Sequence, residues 1–327
     1  MLDTTRGEIM KKTVMMIDGL HMFIRSYIVN PTMDKHGNPI GGCIGFLKSL
    51  QKTCNEFNPD EVIVCWDGHG GSQKRKELNK NYKLGRAPIR FNRRLIDLPP
   101  EKQEENKAYQ LIRLMEYLNE LPIIQLVIDF VEADDIIAFG ARNIKYDGWN
   151  KIIVSSDKDF FQLCSEDTCV YRPIQDKLVC QQDILDEFRI HPNNFALARA
   201  IVGDKSDNLA GVPGAGIKTV AKRFPFLSLE EEFDSETILK NCHMAAKRLK
   251  IHENIIRLDA RIKNNYQIMQ LKHPNISIQG KMQLEFALQN FEPGYNKMNF
   301  VKMLFEDDCG HLNFDNLNRI MKKIKST

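Results

Sequence analysis

The sequence predicts an α/β fold with a mostly parallel central sheet and flanking helices. Four short apolar runs have the length and composition of strands that are covered on both faces, and they lie at residues 14–17, 62–66, 123–128 and 152–155. Helical patterns separate these runs, and strands that alternate with helices are typical of parallel sheets. Acidic residues follow three of the runs, at the strand ends where such sheets bind their ligands.

The remaining elements follow from the same periodicity. Pro192 opens a helix, since proline is favoured in the first helical turn. The part of the chain after it is mainly helical. The predicted elements that connect or follow the strands are helices at about 44–57, 104–119 and 133–144, a hairpin of residues 169–172 and 177–180, and helices at 192–202, from about 217 and at 251–262.

The length of 327 residues allows one large domain and a smaller one. We predict an α/β domain at residues 11–190, a helical module at 191–262 and a helical extension at 263–327. Eight cysteines without a Cys-x-x-Cys pair are expected to be reduced thiols rather than a disulfide framework or a zinc site. No apolar stretch has membrane-spanning length, and a soluble cytoplasmic protein without membrane contact is expected.

Carboxylates recur in five clusters between residues 18 and 207. Gathered carboxylates cost free energy unless a cation neutralises them, and Mg²⁺ prefers carboxylate and water oxygens. Any one cluster is also explained as turn or helix-capping residues, but the recurrence favours one metal site. The candidate metal ligands are Asp18, Asp67, Glu132, Asp134, Asp135, Asp157, Asp159, Asp204 and Asp207.

The spacing of the acids indicates more than one ion. Asp157 and Asp159 are two residues apart, so both side chains point to one side of extended backbone. They could serve two Mg²⁺ ions about 4 Å apart, with Mn²⁺ as a substitute. Asp135, Asp204 and Asp207 are candidates for contact through water.

A strongly basic segment follows the second predicted strand. Nine basic residues stand against one acid between Lys74 and Arg94, which indicates a polyanionic ligand. Tyr82 and Phe91 interleave with these charges, a pattern suited to phosphate contact and base stacking, and no core is expected here. Lys83 and Arg86 could cover a phosphate. A solvated charged helix is the alternative.

The turn at residues 211–216 reads Gly-Val-Pro-Gly-Ala-Gly and resembles a helix–hairpin–helix turn. Glycine lets backbone N–H groups approach a phosphate, and such a turn grips one strand without reading bases. The candidate DNA contacts are Gly211, Gly214, Gly216, Lys218, Thr219 and Lys222, together with Lys74 and Arg75 in the basic segment.

Taken in chain order, these motifs resemble the 5′ nuclease, or flap endonuclease, family. The likeness is greatest to its bacteriophage and bacterial branch, which includes the 5′ nuclease domain of bacterial DNA polymerase I, and it covers about residues 13–225. The matching motifs are Met16-Ile17-Asp18-Gly19 with Arg25, Trp66-Asp67-Gly68, Tyr82-Lys83 with Arg86, Val131-Glu132-Ala133-Asp134-Asp135, Ser156-Asp157-Lys158-Asp159, Gly203-Asp204-Lys205-Ser206-Asp207-Asn208, and the glycine-rich turn with Lys218 and Thr219.

The resemblance implies a PIN-like nuclease domain at residues 11–190, a helical arch at about 72–108 and a helix–hairpin–helix (H3TH) module at 191–262 that holds duplex DNA. It implies that the 211–216 turn binds K⁺. The catalytic residues that it implies are Lys83, Arg86, Tyr82 and Arg25, and Tyr82 is expected to stack on a base.

The function implied by the resemblance is a Mg²⁺-dependent 5′→3′ exonuclease and flap endonuclease that removes 5′ flaps or RNA primers. Its expected substrates are branched or 5′-ended DNA and RNA–DNA duplex. A separate polymerase or single-strand binding protein is an expected partner of this monomer, in the cytoplasm of a bacterium or a phage-infected cell. The alternatives are a PIN-type single-strand ribonuclease and a non-catalytic scaffold that binds branched DNA.

Overall fold

The computed structural model describes residues 11–309 and 312–326, and within them one large sheet organises the fold. Its strand order is β3-β2-β1-β4-β5-β6, with β1 to β5 parallel and β6 antiparallel to β5. The α/β prediction is therefore confirmed. The strands are β1 (Thr13–Asp18), β2 (Glu61–Trp66), β3 (Ile124–Val127), β4 (Asn150–Val154), β5 (Thr168–Arg172) and β6 (Lys177–Val179).

The central strands are apolar along their length because helices cover both faces of the sheet. Met15 and Met16 are both fully buried but point to opposite faces, as alternation along a strand requires. The helices of the first half are α1 (Gly19–Val29), α2 (Gly41–Phe57), α3 (Gln73–Leu78), α4 (Pro100–Asn119) and α5 (Ala133–Ala141). Met15 packs in the cluster formed with α1, α2 and α4, whereas Met16 packs with α5.

The strand order reverses between β1 and β4. A crevice opens at such a switch point, beyond the carboxyl ends of the strands. Asp18 ends β1, and Asp157 lies three residues beyond β4. The topology therefore brings two of the acid clusters to one place.

The second half is mainly helical, as predicted. The expected helix at 251–262 is two helices, because the chain bends at Leu258. Two short strands, β7 (Gly203–Asp204) and β8 (Leu209–Ala210), pair antiparallel. The helices are α6 (Gln181–Phe188), α7 (Pro192–Val202), α8 (Ile217–Arg223), α9 (Ser235–Met244), α10 (Lys250–Arg257), α11 (Asp259–Met269), α12 (Ile278–Gln289), α13 (Lys297–Glu306) and α14 (Phe314–Ser326).

The last helices pack onto the α/β part of the chain. The Phe300 ring of α13 meets Tyr117 of α4 edge to face, and Arg113 Nε lies 2.6 Å from Asp307 Oδ2. α14 joins the same apolar cluster as α2 and α4.

The predicted division at residues 190 and 262 stays a prediction. Among the described residues, no helix is both long and apolar enough to cross a membrane.

The expectation of reduced cysteines is wrong for one pair. Cys169 in β5 and Cys180, just after β6, form a disulfide. Pairing of the two strands brings their Cα atoms to 4.5 Å, a proximity that depends on the register of the hairpin. The other six cysteines are free and buried.

Candidate active site

Three acids at the strand ends are held in place by helix-start hydrogen bonds. Asp18 Oδ1 accepts a bond from the His21 N–H at 3.1 Å, and Asp67 Oδ1 accepts one from the Ala133 N–H at 2.7 Å. Asp157 Oδ1 accepts a bond from the Asp159 N–H at 2.8 Å, where a 3-10 helix begins. Capping fixes each carboxylate, and the second oxygen of Asp18 also accepts a bond from the Ser155 hydroxyl at 3.1 Å.

Asp18, Asp67, Asp134 and Asp157 form what we call the inner acid group. Burial raises the pKa of Asp18 to about 7, and the charges of Asp67 and Asp157 raise it as well. Burial also raises the pKa of Asp134 well above its usual range, with the charges of Asp157 and Asp18 adding to the effect. These acids destabilise one another when ionised, so they form a region that favours a cation.

The remaining acids, which we call the outer acid group, are paired with basic side chains. Arg75 Nη1 lies 2.5 Å from Glu132 Oε2, and Lys83 Nζ lies 2.9 Å from Glu132 Oε1. The Tyr82 hydroxyl donates a third bond to Glu132 at 3.2 Å. Burial opposes ionisation of Glu132, but Arg75 and Lys83 outweigh it and lower its pKa.

Three further ion pairs hold other members of the outer acid group. Arg199 of α7 forms ion pairs with Asp159, at 3.1 Å, and with Asp204. Burial and the charge of Asp157 raise the pKa of Asp159 to about 7 in spite of Arg199. Arg86 pairs with Asp207. The outer acid group is Glu132, Asp135, Asp159, Asp204 and Asp207.

Arg75 also pairs with Asp135, at 3.0 Å, and donates from Nε to the Ile268 carbonyl. Its side chain is buried, so its expected contact with a DNA phosphate does not fit this structure. The Arg75 guanidinium can be buried here because two carboxylates and a carbonyl accept its hydrogen bonds. Lys74 is partly exposed and donates to the Asn275 carbonyl at 3.2 Å.

Residues 79–96, which we call the bridging segment, cross the site. The Lys83 N–H donates to the Asp207 carbonyl at 3.0 Å, which ties the segment to the β7–β8 turn. Farther on, the Asn92 N–H donates to the Ile28 carbonyl of α1 at 2.9 Å. The expected helical arch at 72–108 is therefore wrong in detail: α3 is six residues long, and turns lead from it to α4.

The prediction that this segment forms no core is also wrong. Tyr82 is 3% exposed and packs with Leu209 and Ile268. Phe91 is 4% exposed and stacks on Tyr27, with 4.2 Å between the two ring centroids. Neither ring is open to a nucleobase, in contrast to the expected base stacking. Apolar partners from α1 and the helical module, distant in sequence, provide the burial.

Arg25 lies on α1, one turn beyond His21. Burial lowers the pKa of His21, the charge of Asp157 opposes this, and the charge of Arg25 adds to it. His21 therefore lies close enough to both charges for each to act on it. The catalytic role of Arg25 stays a prediction.

The glycine-rich turn is shaped by close backbone contact. A Cβ on Gly211 would lie 1.8 Å from the Val202 carbonyl oxygen, so glycine is required there. Gly214 has a φ of +83°, and a Cβ on Gly214 or Gly216 would meet nothing within 4 Å, so this part of the turn faces open space. Lys218 and Lys222 are exposed and Thr219 is half-buried on the helix that follows.

Within residues 11–309 and 312–326, no three His, Cys, Asp or Glu side chains are arranged as a preformed metal centre. For the outer acid group the salt bridges account for this result, because its carboxylates turn toward arginine and lysine. The nine predicted metal ligands stay a prediction.

The first half of the chain matches a family model. Residues 13–189 match the "5'-3' exonuclease, N-terminal resolvase-like domain". The chain belongs to the 5′-3′ exonuclease family. This agrees with the family that the motifs indicate, which is a family of nuclease enzymes.

Curated relatives of this 5′-3′ exonuclease family member include whole polymerases and stand-alone enzymes. The chain is 33% identical over 232 residues to the thermostable DNA polymerase I of Thermus aquaticus, covering 71% of this chain and 25% of that protein. It is 32% identical over 214 residues to a 5′-3′ exonuclease of Buchnera aphidicola, covering 64% and 68%. The chain spans about a quarter of the length of the polymerase I relatives.

Solved structures share the fold of this family member. A bacteriophage T5 D15 flap endonuclease, crystallised with DNA and metal ions, has a TM-score of 0.63 and 17% identity, covering 96% of this chain and 98% of that one. A T5 5′-exonuclease with bound zinc has a TM-score of 0.62 and 18% identity, covering 96% and 99%. The fold is thus the PIN-like fold of these phage nucleases.

Sequence reasoning missed one residue of this exonuclease-family site. Arg199 links Asp159 of the α/β part to Asp204 of the β7–β8 turn. A signal was present, since an arginine five residues before Asp204 lies in the last turn of the predicted helix at 192–202. Its partner Asp159 lies forty residues away, so no local pattern indicated the pair.

Proposed function

We propose that the chain is a Mg²⁺-dependent, structure-selective 5′ nuclease that hydrolyses phosphodiesters with two metal ions. The observation that supports this most is the inner acid group near the switch point of the sheet, whose carboxylates repel one another and form no ion pair with the basic side chains that the structure describes. The cationic bridging segment crosses the same site. Family membership supports a nuclease in this position.

The donor set fits hard divalent cations, because it consists of carboxylates that repel one another. Asp18, Asp67, Asp134 and Asp157 would hold one ion. The outer acid group would supply ligands to a second ion, either directly or through water. When bound, the ions would lower the pKa of a water and stabilise the leaving oxygen. The divalent ions in the T5 structures support this proposal, with Mg²⁺ as the native ion and Mn²⁺ as a substitute.

Lys83 and Arg86 would bind the reacting phosphate. Lys83 is partly exposed, Arg86 is exposed, and both now neutralise carboxylates, so they can exchange these partners for phosphate oxygens. Their charge would then offset the negative charge that develops in the transition state. Arg25, one helical turn from His21 on α1, would orient the same phosphate. Tyr82 would act by holding Glu132 rather than by stacking.

The glycine-rich turn would hold the duplex next to the cleaved strand. Its open face at Gly214 and Gly216 allows close approach of a phosphate, and exposed Lys218 and Lys222 add positive charge. The turn would also hold K⁺, which would add positive charge next to the DNA. The complex of T5 flap endonuclease with DNA supports a DNA substrate.

We further propose branched or 5′-ended DNA and RNA–DNA duplex as substrates, and removal of 5′ flaps or RNA primers in replication and repair as the role. The polymerase I relatives carry a matching segment within a much longer protein. A polymerase would therefore be a natural separate partner of this chain.

The test is cleavage of end-labelled 5′-flap, nicked and single-stranded substrates, in DNA and RNA, with Mg²⁺ or EDTA. We expect Mg²⁺-dependent cleavage near the flap junction. Preference for single-stranded RNA would support the ribonuclease alternative instead. Tight flap binding without cleavage would support the scaffold and reject the nuclease.

A further inference from the structure

An exposed aromatic side chain follows the edge strand β3 at the end of the sheet that carries the acids. Phe130 is 48% exposed and lies two residues before Glu132. Its backbone is left-handed, with a φ of +63°. Left-handed backbone at a bulky residue is rare and strained, and it persists where the surroundings enforce it. The position of this ring is therefore maintained at a cost in free energy.

The residues that follow β2 enforce this backbone. The Phe130 N–H donates to the His69 carbonyl at 2.8 Å, and the Gly68 N–H donates to the Val131 carbonyl at 3.0 Å. These bonds extend the contact of β2 with β3 past the ends of both strands. Asp67 of the inner acid group begins the same loop and is itself bonded to the start of α5. Phe130 is thus fixed beside a loop that carries one of the acids.

The ring of Phe130 is supported on one side and open to solvent on another. A Cβ on Gly70 would lie 2.8 Å from Phe130 Cδ1, so the ring rests against a glycine. Gly70 has a φ of +68°, which glycine adopts without strain. The His69 ring meets the Phe130 ring edge to face, with 6.4 Å between the centroids. Both rings are exposed, and we call them the aromatic shelf.

The aromatic shelf fits a nucleobase better than a phosphate. Asp129, next to Phe130, is exposed, and its negative charge disfavours a phosphate at this place. An aromatic ring stacks on a base of any sequence, because every base has a π face. Inside a duplex both faces of a base are covered by its neighbours, so an open ring accepts a base that is unpaired.

We propose that Phe130 stacks on an unpaired base of the strand whose phosphate reaches the acids. Asp67 accepts a bond from Ala133, and three peptide units place the Phe130 Cα at most about 11 Å from Ala133. Successive phosphates of one strand are about 3.4 Å apart along a helix axis, so a base a few nucleotides from the scissile phosphate can reach the shelf. The inference deepens the proposed function and rests on it, because it names a substrate contact beside the same site.

The chain offers a matched control in another exposed phenylalanine. Phe305 of α13 is 68% exposed, and the next residue, Glu306, pairs with Arg113 of α4 at 3.5 Å. α4 leads to the amino end of β3, opposite the end that carries the acids. Phe130→Ala and Phe305→Ala therefore remove the same atoms from exposed rings, one beside the acids and one on another part of the molecule.

The experiment measures affinity for 5′-flap DNAs in Ca²⁺, which separates binding from Mg²⁺-dependent cleavage. One DNA is intact, and each of the others has one abasic site near the junction. We expect Phe130→Ala to weaken binding of the intact DNA by about 5-fold or more, as loss of one stacked base predicts. At one position the abasic site should weaken wild-type binding equally but Phe130→Ala binding by less than about 2-fold, because one contact can be lost only once. Phe130→Tyr and Phe305→Ala should bind like wild type.

Phe130→Gly tests the strain, since it removes the ring and relieves the left-handed backbone together. Its melting temperature should equal or exceed that of wild type, while its affinity for the intact DNA should fall as in Phe130→Ala. A lower melting temperature with unchanged affinity would show that the ring serves folding and would overturn the stacking contact.

The same sensitivity of wild type and Phe130→Ala to every abasic site would also overturn the contact, as would equal affinity of the two proteins for the intact DNA. Absence of Mg²⁺-dependent cleavage by wild type would reject the proposed nuclease. The affinities in Ca²⁺ would still decide whether Phe130 stacks on a base.

Discussion

Arg75 Nη1 lies 2.5 Å from Glu132 Oε2, and both side chains are buried. The same guanidinium also reaches Asp135, so one cation from the basic segment neutralises two of the acids that the sequence marks as metal ligands. This contact links α3, α5 and α11 beneath the bridging segment. Glu132 and Asp135 therefore differ from the inner acid group, because each has a basic partner.

Arg75→Ala should unfold more easily than wild type by about 3–5 kcal/mol, because two buried carboxylates would lose their partner. Chemical denaturation measures this difference in the free energy of unfolding. Lys76→Ala is the control, since Lys76 is exposed on the same helix and its loss should change stability by less than about 0.5 kcal/mol. A similar, small change in both variants would contradict a structural role for Arg75.

Lys83→Ala should slow single-turnover cleavage by about 100-fold or more while flap binding changes little, since charge stabilisation acts mainly in the transition state. Lys80→Ala removes an exposed cation nearby and should leave the cleavage rate almost unchanged. Quenched-flow cleavage and a binding titration separate the two effects. If binding alone weakened in Lys83→Ala, Lys83 would be a phosphate anchor without a part in the reaction.

Asp157→Asn should reduce Mg²⁺-dependent cleavage below detection and retain DNA binding, because Asp157 belongs to the inner acid group but makes no basic pair among the described residues. Asp129→Asn is the control, an exposed acid two residues beyond β3 and outside the predicted ligand set. Cleavage assays and gel shifts measure both properties. Full activity of Asp157→Asn would remove the argument for the metal site.

The raised pKa values of Asp18 and Asp159, both about 7, predict how stability varies with pH. In the unfolded chain these acids release their protons near pH 4, so between about pH 4 and 7 the folded state holds more protons than the unfolded state. Stability from these groups is therefore present at low pH and lost as pH rises to about 7. Without metal we expect a loss on the order of 2 kcal/mol from each of the two acids between pH 5 and 8.

Mg²⁺ should reverse this loss, since it binds the ionised carboxylates of the folded state. Thermal unfolding in EDTA and in Mg²⁺, at pH 5 and 8, provides the measurement, with a larger gain from Mg²⁺ expected at pH 8. Asp18→Asn should reduce both the pH effect and the gain. An equal gain at both pH values would argue against ion binding by these acids.

Much of the fold could be predicted because its signals are local. The apolar run at 14–17 became β1 and the run at 62–66 became β2, since a strand covered on both faces is apolar at every position. Asp18 and Asp157 could be placed at one crevice for the same reason, because parallel strands end at one edge of the sheet.

The errors concern contacts between distant residues. Tyr82 and Phe91 looked exposed because their neighbours in sequence are charged, but partners on α1 and α11 bury them. Cys169 and Cys180 looked unpaired because only the hairpin register brings them together. Arg199 went unnoticed because one of its two carboxylates lies forty residues away.

The sequence by itself determined the order of the strands and helices, the acids at the strand ends and the family to which the chain belongs, because each of these is a pattern of near neighbours. Only the tertiary structure decided which acids are neutralised by Arg75, Lys83, Arg86 and Arg199 and which have no basic partner within the part of the chain that the structure describes. The physical reason is that an ion pair depends on separation in space, and folding determines that separation independently of distance along the chain.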